Sequence, residues 1–235
     1  MTLGLPHQFD HKHSDVSGGW LRAATFGAMD GLVSNTALIA GVAAGATSTH
    51  VVVLGGIAGL LAGAFSMALG EYTSVTTANE QLDSEILVER RALRNYPDEE
   101  EEELVSMLEN MGMTEQTART ASEEIHRDEN KALNFHIVQE LGIDPDEKPS
   151  PWVAAGSSFV MFAIGALVPL LPYLLGLASL VTGLVCGGVG LVIAGAVAAR
   201  FTSKPIWWAS GRQLLFGAIA IGATYLVGLL IGATA

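Results

Sequence analysis

Three side chains with metal-ligand atoms stand inside apolar stretches of this sequence. Asp30 lies in the first stretch, residues 22–45, and Met67 and Glu71 lie in the second, residues 51–75. Each stretch is long enough to cross a bilayer, which takes roughly 20 apolar residues. A carboxylate near mid-membrane costs about 2.5–3.5 kcal/mol on insertion scales, so its presence indicates a function. We interpret the three residues as part of a path through which a positively charged species crosses.

Helical spacing gives these residues polar neighbours. Ser34 lies four residues after Asp30 and shares its helix face, and Asn35 is adjacent to Ser34. Met67 and Glu71 share a face in the same way. A structural interpretation stays open for each of the three: Asp30 as a neutral carboxyl bonded to a neighbouring helix, Glu71 as a side chain that reaches water, and Met67 as an apolar filler.

The types of these ligand atoms indicate which cation would fit. Hard carboxylates with a soft thioether suit a borderline divalent transition metal better than Mg²⁺ or Ca²⁺. Asp30 can bind such an ion when ionised and take up a proton when the ion leaves. This exchange would couple metal movement to a proton gradient.

A second group of candidate ligands lies in the acidic middle of the chain. His136 and Glu140 are four residues apart, and Glu100 and Glu103 are three apart, so each pair shares a helix face. A run of acids is more often a solvated helix face. The spacing alone is therefore a weak indication of a metal site.

The elements that must position these residues follow from composition. Apolar stretches long enough to span a membrane are residues 22–45, 51–75, 151–175, 176–199 and 214–231. Between the second and third lie 20 of the 24 acidic residues, with apolar residues at helical spacing. We predict an all-α integral membrane protein with five transmembrane helices. Its segments are a polar lead-in over 1–20, helices 1–2 over 21–75, a small helical metal-binding domain over 76–150, and helices 3–5 over 151–235.

Helix boundaries in the acidic segment are predicted from capping residues. Pro97 should break one helix and Asp98 should cap the next, which ends near Gly112. Thr114 should cap a third helix, and Gly142 should end the last. The polar link 200–213, with its two tryptophans, suits a membrane interface.

The distribution of basic residues predicts the orientation. With the N-terminus in the cytoplasm, all 12 Lys and Arg residues fall in the inside segments 1–22, 76–150 and 200–213. Basic residues favour the cytoplasmic side, so the acidic domain should be cytoplasmic and the C-terminus should lie on the far side. The N-terminus has no apolar core like that of a signal peptide, so we expect the first span to act as the targeting signal.

Several classes of protein are not expected. The net charge of −12 argues against a nucleic-acid partner. Cys186 is the single cysteine, which excludes an intrachain disulfide and a cysteine metal site. An enzyme is not expected, because no nucleophile–base set or nucleotide loop is present. The one Glu123-x-x-His126 pair is too few for a di-iron oxidase, which needs two.

Four stretches in this order carry a family resemblance: AMDGLVSNTALIAGVAAG, AGAFSMALGEY, QELGIDPDE and GALVPLLPY. With them the chain resembles bacterial-type members of the vacuolar iron transporter family over residues 18–231. The resemblance implies five transmembrane helices and a homodimer with a path along its two-fold axis. It also implies export of Fe²⁺, often Mn²⁺, from the cytosol in exchange for protons.

The resemblance also implies roles for individual residues. The acid and the methionine that line the family's path fall on Asp30 and Met67. The metal ligands of its cytoplasmic domain match, by position, Glu89, Glu100, Glu103 and Glu140, while His136 stands in place of a methionine. Two other family glutamates are replaced here by Ala92 and Gly59. One Asp30 and one Met67 are too few ligands for an ion, so two copies across an axis would serve better.

The leading hypothesis is a proton-coupled antiporter that exports Fe²⁺, and Mn²⁺ as well, across a bacterial inner membrane. No prosthetic group is expected, and the metal ion is bound and transported as cargo. The alternative is a membrane-anchored metal-binding or metal-sensing protein without transport. Asp30 with Met67 discriminates between them, because a membrane anchor does not need a buried carboxylate.

Overall fold

The protein is helical throughout its described residues. The computed structural model describes residues 19–45, 48–142, 148–177, 179–202 and 204–232. Except for residues 19 and 20, the predicted lead-in over 1–20 lies outside the described residues. Eight helices and no strand occur over the described ranges: α1 (Gly19–Gly45), α2 (Thr49–Asn95), α3 (Pro97–Asn110), α4 (Glu115–His126), α5 (Glu129–Leu141), α6 (Pro151–Leu174), α7 (Leu180–Thr202) and α8 (Ile206–Gly232).

Five of these helices, α1, α2, α6, α7 and α8, are long and apolar enough to cross a membrane. The prediction of five spanning helices is therefore confirmed. Two predicted boundaries were wrong. The acidic segment does not open with a separate helix, because α2 continues to Asn95 and residues 71–95 contain no glycine or proline to interrupt it. The link 200–213 is mostly helical, because α8 begins directly after Pro205.

The chain forms two compact units. The first, which we call the bundle, contains residues 1–72 and 152–235, and the second, which we call the acidic unit, contains residues 73–151. In the bundle, α1 packs against α7 and α8, and α7 packs against α8. Buried side chains of α1, α2 and α6 form one apolar cluster around Ile39 and Leu170.

Glycines allow the backbones of α1 and α6 to approach closely. A methyl group at Gly31 would collide with the backbone of Phe162, and one at Gly165 would collide with the carbonyl oxygen of Ala28. Small residues at helix contacts permit such close packing in membranes. There, burial of apolar side chains gives no driving force for helix association, because the lipid tails are equally apolar. The contact fixes the position of the part of α1 that carries Asp30.

Substituting Gly165 by alanine should destabilise the bundle by about 1–3 kcal/mol or more, because the added methyl group meets backbone that cannot rotate away. Gly156→Ala in the same helix is a matched control, since nothing lies within 4 Å of a Cβ at that position. Thermal unfolding of the full-length protein in detergent measures the difference. Equal unfolding temperatures for the two variants would contradict the close approach of α1 and α6.

The acidic unit contains the last part of α2 with α3, α4 and α5. Leu82 and Leu93 of α2 pack against Leu133 and Ile137 of α5. A second cluster joins α3 to α4: Leu104, Val105, Leu108 and Ala118. Apolar side chains of α2 are therefore buried against α5, and those of α3 against α4.

The helix caps of this unit match the sequence predictions in part. The Thr114 side chain accepts a hydrogen bond from the Thr117 N–H, and Gly142 ends α5 with φ of 66°. Both predictions are confirmed. Asp98 is not a cap, because α3 starts earlier, with Tyr96 at the N-cap position and Pro97 at the first helical position that suits its fixed φ.

Candidate metal sites in the bundle and the acidic unit

A cavity of about 300 Å³ with both polar and apolar lining residues lies between α1, α2 and α6 in the bundle. It contains four of the five residues predicted to form a path: Asp30, Ser34, Asn35 and Met67. The other lining residues are Leu38, Gly59, Gly63, Ser66 and Phe162. The cavity therefore joins a carboxylate, a thioether and neutral oxygen atoms within the part of the chain that could cross a membrane.

Hydrogen bonds fix the neutral side chains beside Asp30. Asn35 is 2% exposed, and its Nδ2 donates to the carbonyl oxygen of Ala166 at 2.6 Å. Its Oδ1 is buried and has no hydrogen-bond partner among the described residues. Ser34 Oγ donates to the backbone oxygen of Asp30 at 2.6 Å. Asn35 Oδ1 is therefore left as a free acceptor in the cavity, where a cation could use it.

Asp30 is the only ionisable side chain among the residues described as lining this cavity. Gly59 lines it as well, at the position where the resemblance led us to expect a glutamate in plant-type members. The cavity of one chain therefore offers one carboxylate and one thioether. Divalent ions take four to six ligands, so these two strong donors do not complete a coordination shell.

Glu71 does not line this cavity. Its Oε2 lies 3.1 Å from Nη2 of Arg22. This ion pair links the first turn of α1 to the middle of α2. The Glu71 side chain is 11% exposed, whereas that of Arg22 is 66% exposed. Because the two residues are 49 positions apart, helical spacing could not reveal the pair.

The acidic unit brings a second group of ligands together around His136. This side chain is fully buried in α5, and its Nδ1 lies 3.2 Å from Glu89 Oε1, 3.7 Å from Glu100 Oε2 and 3.2 Å from Glu140 Oε1. Ligand atoms of Glu89, Glu100 and His136 all lie within 4.8 Å of one another. Atoms at this separation can ligate one transition-metal ion at bond lengths of about 2.0–2.2 Å.

The charges of this cluster are poorly compensated without a cation. Burial, and after it the neighbouring charges of Glu140 and Glu100, raise the pKa of Glu89 to about 7 against the opposing effect of His136. Burial is also the main cause that raises the pKa of Glu100. Glu103 is exposed and contributes by its charge rather than by contact. The cluster therefore favours an added positive charge, either protons or a metal ion.

One feature of the acidic unit was not foreseen. His126 lies with its ring centre 5.4 Å from that of His136, although sequence reasoning considered it only within the Glu123-x-x-His126 pair. Glu123 itself is exposed. The sequence showed only that His126 is a histidine within an acidic segment. Helical spacing does not reveal that its ring lies beside the ring of His136.

Comparison with known proteins identifies the family. The sequence profile of the VIT family matches residues 21–229. A protein of Acanthamoeba castellanii named vacuolar iron transporter is 34% identical, over 97% of this chain and 86% of its own length. The vacuolar iron transporter of Centaurea cyanus is 30% identical, over 92% and 89% of the two chains. Vacuolar iron transporter homolog 1 of Arabidopsis thaliana is 31% identical, over 98% and 94%. The chain is an integral membrane protein that belongs to the VIT family, a family of transporters and not of enzymes.

Proposed function

We propose that the protein is a proton-coupled antiporter that exports Fe²⁺, and Mn²⁺ as well, from the cytosol. The observation that carries the proposal is that the Asp30 carboxylate and Met67 line one cavity in a bundle of helices able to cross a membrane. Relatives at 30–34% identity are named vacuolar iron transporters, which supports iron as the cargo.

Asp30 would alternate between a metal ion and a proton. As the only ionisable group described in the cavity, it binds the ion when charged and becomes protonated when the ion leaves. Asn35 Oδ1 and Met67 add neutral ligands. This cycle moves protons and metal in opposite directions without leaving a bare carboxylate in the membrane, which would be costly.

A homodimer would complete the ligand set. Two copies of the cavity around a two-fold axis supply two carboxylates and two thioethers, which approaches the coordination number of a divalent transition metal. Large apolar side chains on α2 are exposed in the single chain, including Leu54, Leu61, Phe65 and Leu69. These side chains can face either lipid or a second copy of the chain, so their exposure does not distinguish a monomer from a dimer. The dimer is therefore supported mainly by the incomplete ligand set of one chain.

The acidic unit would capture metal before transport. Glu89, Glu100, His136 and Glu140 surround one point, and Glu103 adds negative charge nearby. A neutral imidazole with carboxylates suits Fe²⁺ and Mn²⁺. All 12 basic residues of the chain fall on one side of the five spans, which supports a cytoplasmic position for this unit and a far-side position for the C-terminus. We also propose a bacterial inner membrane, because the sequence resembles bacterial-type members of the family.

Metal binding should strengthen with pH up to about 7 and then level off. Because the pKa of Glu89 is raised to about 7, a proton occupies this ligand at lower pH and the metal must displace it. Below pH 7 the affinity should rise by about tenfold per pH unit for each proton displaced. Calorimetric titration of the full-length protein with Mn²⁺ from pH 5.5 to 8 measures this slope.

The metal-free protein should show the opposite trend. The raised pKa of Glu89 gives a stabilising contribution that is fully present below its ordinary value of 4.5 and is lost as the pH rises through about 7. Glu89→Gln should therefore reduce the fall in unfolding temperature between pH 5 and 8. A Mn²⁺ affinity that does not vary over this range would contradict the role of Glu89.

The test of the whole proposal is transport in proteoliposomes. With an opposing pH gradient, the protein should carry Fe²⁺ across the membrane while protons appear on the other side, and dissipating the gradient should stop it. Metal binding without transport would support the alternative, a membrane-anchored metal-binding protein. Transport without proton movement would contradict the antiport mechanism, but it would not contradict the proposal that Fe²⁺ is the transported ion.

A further inference from the structure

Two histidines of the acidic unit have neighbouring rings, and each ring has a buried nitrogen without a partner among the described residues. Nε2 of His126 and Nε2 of His136 are buried and have no hydrogen-bond partner among the described residues. The two ring centres are 5.4 Å apart, and the rings are nearly perpendicular at 83°. A buried polar atom without a partner costs about 1–3 kcal/mol, so two such atoms in neighbouring rings require an explanation.

The surroundings of His126 determine which of its nitrogens carries hydrogen in the neutral ring. Its Nδ1 lies 3.0 Å from the carbonyl oxygen of Ser122, which can only accept a hydrogen bond. The Ser122 hydroxyl donates to the carbonyl oxygen of Glu101 at 2.9 Å and cannot donate to the ring as well. Nδ1 of His126 is therefore the donor, and its Nε2 carries a lone pair.

The surroundings of His136 indicate that, when a metal is bound, its ring carries hydrogen on Nε2 rather than on Nδ1. Its Nδ1 faces oxygen atoms of Glu89, Glu100 and Glu140 at 3.2–3.7 Å, so Nδ1 is the atom that would ligate an ion held by these carboxylates. A neutral imidazole that ligates through Nδ1 must carry its hydrogen on Nε2. The free donor of His136 and the free acceptor of His126 are thus in adjacent rings.

We propose that His126 is a positioning residue for the metal site, accepting a hydrogen bond from Nε2–H of His136 when an ion occupies Nδ1. This inference rests on the proposed function only in requiring that the cluster binds metal. With the ring centres 5.4 Å apart, the two Nε2 atoms would lie about 3 Å apart, a hydrogen-bonding distance, when both point along the line between the ring centres.

The resulting arrangement connects three helices to one ligand. The Glu101 carbonyl in α3 holds the Ser122 hydroxyl, the Ser122 carbonyl holds His126 in α4, and His126 holds His136 in α5. A second residue that fixes the tautomer and orientation of a ligating histidine strengthens metal binding, and its loss costs about 10–100-fold in affinity. A methionine at position 136 would have no N–H to offer, so the partner matters only where the ligand is histidine.

The test compares two variants at position 126 in the full-length protein in detergent. His126→Phe keeps a flat ring but has no acceptor, and Zn²⁺ affinity should fall by about 10–100-fold. His126→Gln can place an amide oxygen near the position of Nε2, and its affinity should stay within a few-fold of the unaltered protein. Thermal unfolding without metal reports whether either variant has lost its fold.

Nitrogen-15 spectra of labelled histidine, with Zn²⁺ as the diamagnetic probe, give a readout that packing alone would not change. In the zinc-bound protein, His136 should carry its proton on Nε2 and ligate through Nδ1, while His126 keeps its proton on Nδ1. A shift of the His126 Nε2 signal to the value of a zinc-ligating nitrogen, as expected for His136 Nδ1, would make His126 a direct ligand and overturn the positioning role; the smaller shift of a nitrogen that accepts a hydrogen bond is the expected result. Unchanged affinity in a folded His126→Phe protein would overturn it as well.

A further variant separates this inference from the proposed function. His136→Ala should weaken Zn²⁺ binding at the cluster by at least about 100-fold if His136 is a ligand there. If the unaltered protein binds no Zn²⁺ there, the metal-capture role of the acidic unit fails. If His136→Ala loses binding while a folded His126→Phe protein does not, only the role of His126 fails.

Discussion

Replacing Asp30 by asparagine should abolish proton-driven metal uptake, with a loss of at least about 100-fold. Asparagine keeps the shape of the side chain but removes the only ionisable group described in the cavity between α1, α2 and α6. The variant can neither compensate the charge of a divalent ion nor take up a proton when the ion leaves. Both halves of the exchange should therefore fail together.

The experiment measures the initial rate of Fe²⁺ or Mn²⁺ uptake into proteoliposomes at a fixed pH gradient. Asp30→Glu, which retains a carboxyl group, should keep part of the activity. Gly156→Ala serves as a control for folding and insertion, because an added methyl group there meets nothing within 4 Å. Glu71→Gln breaks the ion pair with Arg22 outside the cavity and should cost far less than Asp30→Asn.

The proposed binding of Mn²⁺ to the acidic unit provides the internal reference for this experiment. Its ligands belong to residues 73–151, so Asp30→Asn should leave that binding unchanged while transport is lost. If Asp30→Asn transports metal at the rate of the unaltered protein, the cavity is not the path.

Much of the bundle was predictable from sequence because membrane spans depend on composition over long windows. Residues 51–75 and 151–175 are recognisable from apolarity alone, and helices at both positions are present. Helix ends were less predictable. The change from apolar to acidic composition near Thr76 indicated a new element, yet α2 continues to Asn95 because composition does not break a helix where no glycine or proline intervenes.

Within the acidic unit, spacing predicted candidate ligands only where they are neighbours on one helix. The spacing of His136 and Glu140 is local, and the structure places their side chains 3.2 Å apart. Glu89 and Glu100 reach His136 from two other helices, so their proximity depends on tertiary packing and was expected only from the family resemblance. The ring of His126 was missed for the same reason.

Replacing His136 by leucine should weaken metal binding to the acidic unit by at least about 100-fold, more than the loss of a residue that only positions a ligand. Leucine fills a similar buried volume, but it leaves Glu89, Glu100 and Glu140 facing a site without a nitrogen ligand. Because the charge of His136 opposes the rise in the pKa of Glu89, its removal should also make Glu89 harder to ionise. The metal would then compete with protons more severely.

His136→Met distinguishes loss of a ligand from loss of packing. The thioether is a soft ligand that fits a buried position, so this variant should retain binding and should prefer Fe²⁺ over Mn²⁺ more strongly than the unaltered protein does. Calorimetric titration of the full-length protein, anaerobic for Fe²⁺, measures both affinities, and His50→Leu at an exposed position of α2 is the matched control. If a folded His136→Leu protein binds Mn²⁺ as tightly as the His50→Leu control, the ion does not use His136, and the carboxylates alone must hold it.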